Sequence, residues 1–218
     1  MNNKTIAIIN DSDVTTGSLP NNIKSINAWD INWDDLSLED NYIILGGHMG
    51  SYDDEKFTYL QKEKQWLKNA INANTKILGI CLGSQLIADA MGGAAFLSKN
   101  IEFGFKNLEF LIDVSLFDDF KNTKVFSWHR DTFNIPPEAT LIAKTEYPQI
   151  YSIKNSLALQ FHPEIELTLF ESWYDTDLSK LELKYYDVQS ELNYLKDNFQ
   201  QLEKSMYNFY NKWITLKH

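Results

Sequence analysis

Lys76-Ile77-Leu78-Gly79-Ile80-Cys81-Leu82-Gly83-Ser84-Gln85-Leu86-Ile87 is the stretch that decides the fold. Its first half is an apolar run that reads as a buried strand. From Ser84 to Met91 the pattern becomes helical, and Gly92-Gly93 ends it. A strand passed to a helix through Gly-x-Cys-x-Gly has the form of a nucleophile elbow, with cysteine in the place of serine. The tight turn crowds its neighbours, which calls for small residues at 79 and 83. It leaves the Cys81 thiol at a helix N-terminus, where free N–H groups and the helix dipole favour a thiolate. The structural alternative is a buried cysteine between a core strand and a core helix.

A nucleophilic cysteine needs a base, and the base needs an orienting group. Gln160-Phe161-His162-Pro163-Glu164 follows the apolar run Ser156–Leu159. His162 can take the thiol proton. Glu164, two residues on, shares its face if the segment is extended, and can then hold the second imidazole nitrogen. The blander alternative makes His162 a strand-end histidine and Glu164 a first-turn helix acid. Upstream, Gly46-Gly47-His48-Met49-Gly50 follows the strand Tyr42–Leu45. A glycine-rich loop at such a place offers backbone N–H groups to an anion. The expected oxyanion donors are the N–H groups of Gly47 and Leu82, although glycines also simply make turns.

Together these segments resemble the class I (triad) glutamine amidotransferases. The resemblance rests on Gly46-Gly47-His48-Met49, Gly79-Ile80-Cys81-Leu82-Gly83-Ser84-Gln85 and Phe161-His162-Pro163-Glu164. Glu102-Phe103-Gly104 and Trp128-His129-Arg130-Asp131-Thr132-Phe133 add to it, the latter resembling stand-alone members similar to the glutaminase domain of GMP synthase. It covers roughly residues 40 to 165. It implies that Cys81 attacks the side-chain amide carbon of glutamine, that ammonia leaves after protonation by His162, and that water hydrolyses the γ-glutamyl thioester. Gln85 matches the position that binds the α-amino or carboxylate end of the substrate; its bland role is that of a surface helix residue. Two departures stand out. His48 replaces a usual Pro, which frees a backbone angle that Pro would fix, or brings the imidazole to the substrate. Arg130 replaces a usual Gly and is a candidate for binding a carboxylate of a larger γ-glutamyl substrate, against a plain surface role. His129 is a candidate for substrate positioning, against a structural histidine with its hydrogen bonds satisfied.

The remaining composition fits one α/β domain. With 218 residues, 44% of them hydrophobic, the chain can bury a large core. No apolar run approaches the ~20 residues of a membrane span. The single cysteine excludes an internal disulfide, and with no export signal seen ahead of Ile6-Ala7-Ile8-Ile9 the expected compartment is the cytoplasm. A net charge of −10 speaks against a nucleic-acid partner. Neither a metal nor another cofactor is expected.

The expected fold class is α/β, flavodoxin-like: a central, mostly parallel sheet with helices on both faces, an antiparallel extension and a long C-terminal helix. Strands are expected at 4–9, 23–29, 42–45, 76–80, 108–114, 123–127, 140–145, 149–153 and 156–161. A helix is expected from about Asp54 to Ala73, with Leu60, Leu67 and Ile71 on one face. The amidotransferase domain is set at 1–174. In 175–218, Leu178, Leu181, Tyr185, Val188, Leu192, Leu195, Phe199, Leu202, Met206, Phe209 and Trp213 alternate three- and four-residue steps. That spacing predicts an unbroken helix, capped by Asp175 or Asp177. It pairs with its twin in a homodimer, pairs with a synthase, or docks on its own domain; the many aromatics favour docking.

Three functions are compatible with these features. The chain is an amidotransferase subunit that takes glutamine and passes ammonia to a synthase, a free-standing hydrolase of γ-glutamyl peptides or amides, or a silent interaction subunit that uses the C-terminal helix.

Overall fold

The computed structural model describes residues 3–216. Met1 and Asn2, the start of the stretch in which no export signal is seen, and Lys217 and His218, the end of the expected C-terminal helix, lie outside them.

Strands β1 (Thr5–Ile9), β2 (Lys24–Asn27), β3 (Asn41–Ile44) and β4 (Ile77–Ile80) form the parallel half of the main sheet, joined by β10 (Ser156–Leu159). β9 (Pro148–Ile153), β8 (Thr140–Lys144) and the short β6 (Glu109–Phe110) extend it antiparallel, in the order β2-β1-β3-β4-β10-β9-β8-β6. The first five positions follow the flavodoxin-like order 2-1-3-4-5, with β10 as the fifth strand.

The central strands carry no polar alternation because both faces are buried. Ile43 and Leu45 point to one cluster, with Leu78, Ile80, Phe117 and Phe209. Tyr42 and Ile44 point to the other, with Leu60, Leu67 and Ile71 of α1 (Tyr59–Asn72) and Leu86 and Ile87 of α2 (Leu82–Ala90). The stripe expected on α1 is therefore the buried one. The helix starts at Tyr59 rather than near Asp54, since Asp53 to Thr58 is a run of turns.

A second, two-stranded sheet pairs β5 (Ala94–Lys106) with β7 (Val125–Asn134). β5 was not expected. Its polar Ser98-Lys99-Asn100 run interrupts the alternation, and the register shifts between Leu97 and Glu102. β6 is much shorter than the strand expected at 108–114, because the chain turns at Leu111 into a 3-10 turn at Ser115–Phe117 and then α3 (Asp118–Lys121).

The C-terminal helix is not unbroken. α4 (Leu167–Tyr174) leads to α5 (Asp177–Glu182), and the long helix is α6 (Val188–Thr215). Thr176 caps α5 and Asp187 caps α6, each accepting an N–H three residues on. Leu178, Leu181 and Tyr185 of the expected seam are 65%, 62% and 87% exposed. From Val188 onward the seam docks on the chain's own core, where Phe209 stacks on Phe117 at 5.7 Å and Met206 and Trp213 are buried.

Candidate active site

The C-terminal ends of adjacent parallel strands converge, as ligand sites of doubly wound sheets do. β4 delivers Cys81, β3 delivers Gly46 and Gly47, β10 delivers Gln160 to Glu164, and β1 delivers Asn10 and Asp11.

Cys81 sits between β4 and α2 with φ 51° and ψ −108°, a conformation that costs an L-residue energy and is held by its surroundings. Its N–H donates to Leu159 O at 2.8 Å, and its carbonyl accepts the Ser84 hydroxyl at 2.6 Å. The flanking glycines are required by space. A Cβ on Gly79 would lie 2.6 Å from Gly83 O, and one on Gly83 would lie 2.1 Å from Ile44 O. This is the geometry of an elbow between strand and helix.

His162 is 4% exposed, its ring set edge-on to Trp173 at 4.7 Å. Its Nδ1 lies 2.8 Å from Oε1 of Glu164, which is fully buried. Cys81 lies close enough for its charge to act on the ring. Burial alone would lower the pKa of this imidazole, but the charges of Cys81 and Glu164 and the hydrogen bond to Glu164 push it up to about 10. Gly46 packs over the pair: a Cβ there would stand 3.2 Å from His162 Cε1 and 3.5 Å from Cys81 Cβ. On the same loop, a Cβ on Gly47 would meet Leu82 Cδ2 at 3.0 Å. The N–H groups of Gly47 and Leu82 have no acceptor among the described residues. The sulfur, the imidazole and the carboxylate thus lie together, with the Gly46-Gly47 loop and the start of α2 beside them.

The four residues expected at the substrate end fall into two groups. Gln85 is 3% exposed, so it is not a surface helix residue. Its Nε2 donates to Asp131 O and to Gln160 Oε1, each at 3.4 Å. Gln160, which has no role in the sequence reading, closes a chain from Gln85 to the sulfur, with its Nε2 3.7 Å from Cys81 Sγ. It stands in the same motif as His162, which is the signal that could have found it. The other three are held by protein partners. His129 Nε2 lies 2.8 Å from Glu102 Oε2 and its Nδ1 2.9 Å from Asp131 O. Arg130 Nε pairs with Glu182 Oε1 of α5 at 3.1 Å. His48, exposed, pairs with Asp11 through Nδ1 at 2.5 Å.

Among the described residues, no group of three or more His, Cys, Asp or Glu side chains is arranged to hold a metal ion, and no helix is long and apolar enough to cross a membrane. The chemistry within reach is nucleophilic attack by sulfur on a carbonyl, with a buried imidazole to move the proton.

A family model described as glutamine amidotransferase class-I matches residues 9–178. GMP synthase [glutamine-hydrolyzing] of Brachyspira hyodysenteriae is 34% identical over 56% of this chain and 24% of its own. A glutamine amidotransferase-like protein of Acanthamoeba polyphaga mimivirus is 31% identical over 66% of this chain and 65% of its own. Gamma-glutamyl peptidase 4 of Arabidopsis thaliana is 30% identical over 60% of this chain and 55% of its own. The chain spans less than two thirds of each of these relatives. The solved structure of a glutamine amidotransferase of Thermotoga maritima superimposes with a TM-score of 0.84 at 25% identity, covering 99% of this chain and 100% of the other.

Proposed function

The chain belongs to the class I glutamine amidotransferases, and from that premise we propose that it hydrolyses the side-chain amide of glutamine, or of a γ-glutamyl compound, through a thioester on Cys81. The observation that carries this reading is the position of the His162 ring, hydrogen-bonded to the buried Glu164, withdrawn from water and set beside the elbow cysteine across Gly46, where an added Cβ would stand 3.2 Å from the ring and 3.5 Å from Cys81 Cβ.

Attack by Cys81 Sγ on the δ-carbon of the glutamyl amide gives a tetrahedral oxyanion. The Gly47 and Leu82 N–H groups stabilise it, and each donor in such a site is worth about 3–4 kcal/mol of barrier. His162 then delivers its proton to the leaving nitrogen, the C–N bond breaks, and ammonia departs. His162, now neutral, takes a proton from water, whose oxygen attacks the thioester carbon. Glutamate is released and the sulfur–imidazolium pair returns. Glu164 holds Nδ1 and offsets the imidazolium charge throughout.

Two destinations for the nitrogen are supported by different relatives. The glutamine-hydrolyzing GMP synthase component of Pyrococcus abyssi, 32% identical over 47% of this chain and 57% of its own, supports a glutaminase that delivers ammonia to a synthase. The likeness to gamma-glutamyl peptidase 4 supports a free-standing hydrolase of γ-glutamyl peptides. The test is a screen of the isolated chain against glutamine, γ-glutamyl peptides and γ-glutamyl amines, detecting ammonia and glutamate, beside Cys81→Ala. Turnover lost in Cys81→Ala, with a thioester trapped on the parent, is the expected result. Absence of both turnover and thioester would leave a silent interaction protein as the better reading.

A further inference from the structure

Asp11, at the end of β1, is 5% exposed and faces the loop that carries the two glycines. Its Oδ2 accepts the His48 backbone N–H at 2.9 Å and lies 2.5 Å from His48 Nδ1. Its Oδ1 accepts the Asp13 N–H at 3.0 Å. Burial would raise this carboxyl, but the hydrogen bonds from Asp13 and His48 outweigh it and hold the group below the usual carboxylate range.

The platform under Asp11 is itself fixed. Asn10 Nδ2 donates to Leu45 O at 3.4 Å and to Glu63 Oε1 at 3.2 Å, and Tyr59 OH donates to Asn10 O at 2.5 Å. Beyond His48, the Gly50 N–H donates to Asp53 Oδ2 at 2.8 Å and the Ser51 hydroxyl bonds Asp89. Between these anchors lie two glycines with no side chain to restrict them. A proline at 48 would fix its own φ. Histidine does not, but it brings an N–H that proline lacks, and Asp11 takes that N–H. The same carboxylate holds the ring, so His48 is gripped at two points. Gly47 is seated beside it, where an added Cβ would stand 3.4 Å from Asp11 Cβ.

Resting on the hydrolase reading above, we infer that Asp11 is a positioning residue: by gripping His48 through its backbone N–H and its ring, it fixes the Gly47–His48 peptide and so limits the turn of the preceding Gly46–Gly47 peptide, whose N–H it keeps towards the carbonyl oxygen of a glutamyl amide on Cys81. Asp11 touches no reacting atom. Its effect is confined to the transition state, where the oxyanion exists, and so falls on kcat rather than KM.

The experiment compares Asp11→Ala, Asp11→Asn and Asp11→Ala/His48→Pro with the parent. Asp11→Ala is expected to lower kcat about tenfold to hundredfold with KM within about twofold, a part of what losing a whole donor costs. Asp11→Asn, which still accepts the N–H, is expected to fall between. The double variant is expected to recover at least about tenfold, because proline fixes the loop without the carboxylate. Alkylation of Cys81 by chloroacetamide is expected to be unchanged in all of them, showing the fold and nucleophile intact. Amide hydrogen exchange at His48 is read in parallel and needs no activity: protection present in the parent and lost in Asp11→Ala is expected. Unchanged kcat in Asp11→Ala, no recovery in the double variant, or unchanged exchange at His48 overturns the inference. If the parent hydrolyses no glutamyl compound while the exchange result holds, the grip stands and the hydrolase reading falls.

Discussion

His162 Nδ1 lies 2.8 Å from Glu164 Oε1, two residues further along the same segment, with the imidazole 4% exposed and the carboxylate 0% exposed. The pair is set by the chain itself, because His162 N–H is tied to Phe126 O at 2.8 Å and Gly17 closes over the Glu164 carbonyl. A carboxylate in that place orients the ring and opposes the charge the ring acquires. Glu164→Gln keeps the shape and removes the charge. It is expected to slow turnover about a hundredfold or more while leaving some activity, whereas Cys81→Ala leaves none. Steady-state kinetics on the best substrate of the screen decide it; equal losses in the two variants would show that Glu164 does more than orient.

The titration of His162 follows from the same contacts. Burial lowers the pKa of the ring, but Cys81 and Glu164 together raise it to about 10, from 6.5. A raised folded-state value means that the charged ring contributes stability fully below pH about 6.5, and that this contribution drains away as pH rises through about 10. The Cε1 proton of His162 is expected to titrate near pH 10 in NMR spectra, and nearer 6.5 in Cys81→Ala, where one of the raising partners is gone. An ordinary midpoint in the parent would remove the sulfur–imidazolium pair as the resting form.

Much of the site was legible because it is built from short local patterns at strand ends. The Gly79 and Gly83 flanks, the two-residue step from His162 to Glu164 and the Gly46-Gly47 pair each state a geometry within a few residues. What stayed hidden depends on partners far away in sequence. For Arg130 the sequence left a substrate carboxylate and a plain surface role open; its partner Glu182 sits on a helix that the heptad spacing ran together with α6, so the pairing could not be foreseen. For Gln85 the sequence set a substrate-end role against a surface helix position, and its burial beside Gln160, just past β10, excludes the second. β5 was missed because a strand that is half exposed and shifts register carries no clean alternation.

The C-terminal seam shows the same limit and gives a stability prediction. Phe209 is fully buried, stacked on Phe117 at 5.7 Å and tilted on Phe120 at 5.2 Å. Leu178 belongs to the same repeat but is 65% exposed. Phe209→Ala is expected to cost about 3–5 kcal/mol, the transfer loss plus the cavity left behind. Leu178→Ala is expected to stay within about 0.5 kcal/mol. Urea denaturation of the two variants checks this. A large loss from Leu178→Ala would mean that its face is covered in solution.

Glu63 carries the last prediction. It is fully buried on α1, and its Oε1 accepts from Asn10 Nδ2 at 3.2 Å while Oε2 has no partner among the described residues. Burial raises its pKa to about 8, against the smaller opposing effects of the Asn10 hydrogen bond and the Lys64 charge. The neutral acid is therefore the form the fold accepts. Its contribution is full below pH about 4.5 and is lost as pH rises through about 8, where the fold must bury an anion or open. Glu63→Gln keeps an oxygen for Asn10 and cannot ionise. Its melting temperature is expected to exceed that of the parent at pH 9 by several degrees and to match it or fall below it at pH 5, so that the difference changes with pH and not by a constant. A gain of equal size at both values would assign the effect to packing rather than to charge.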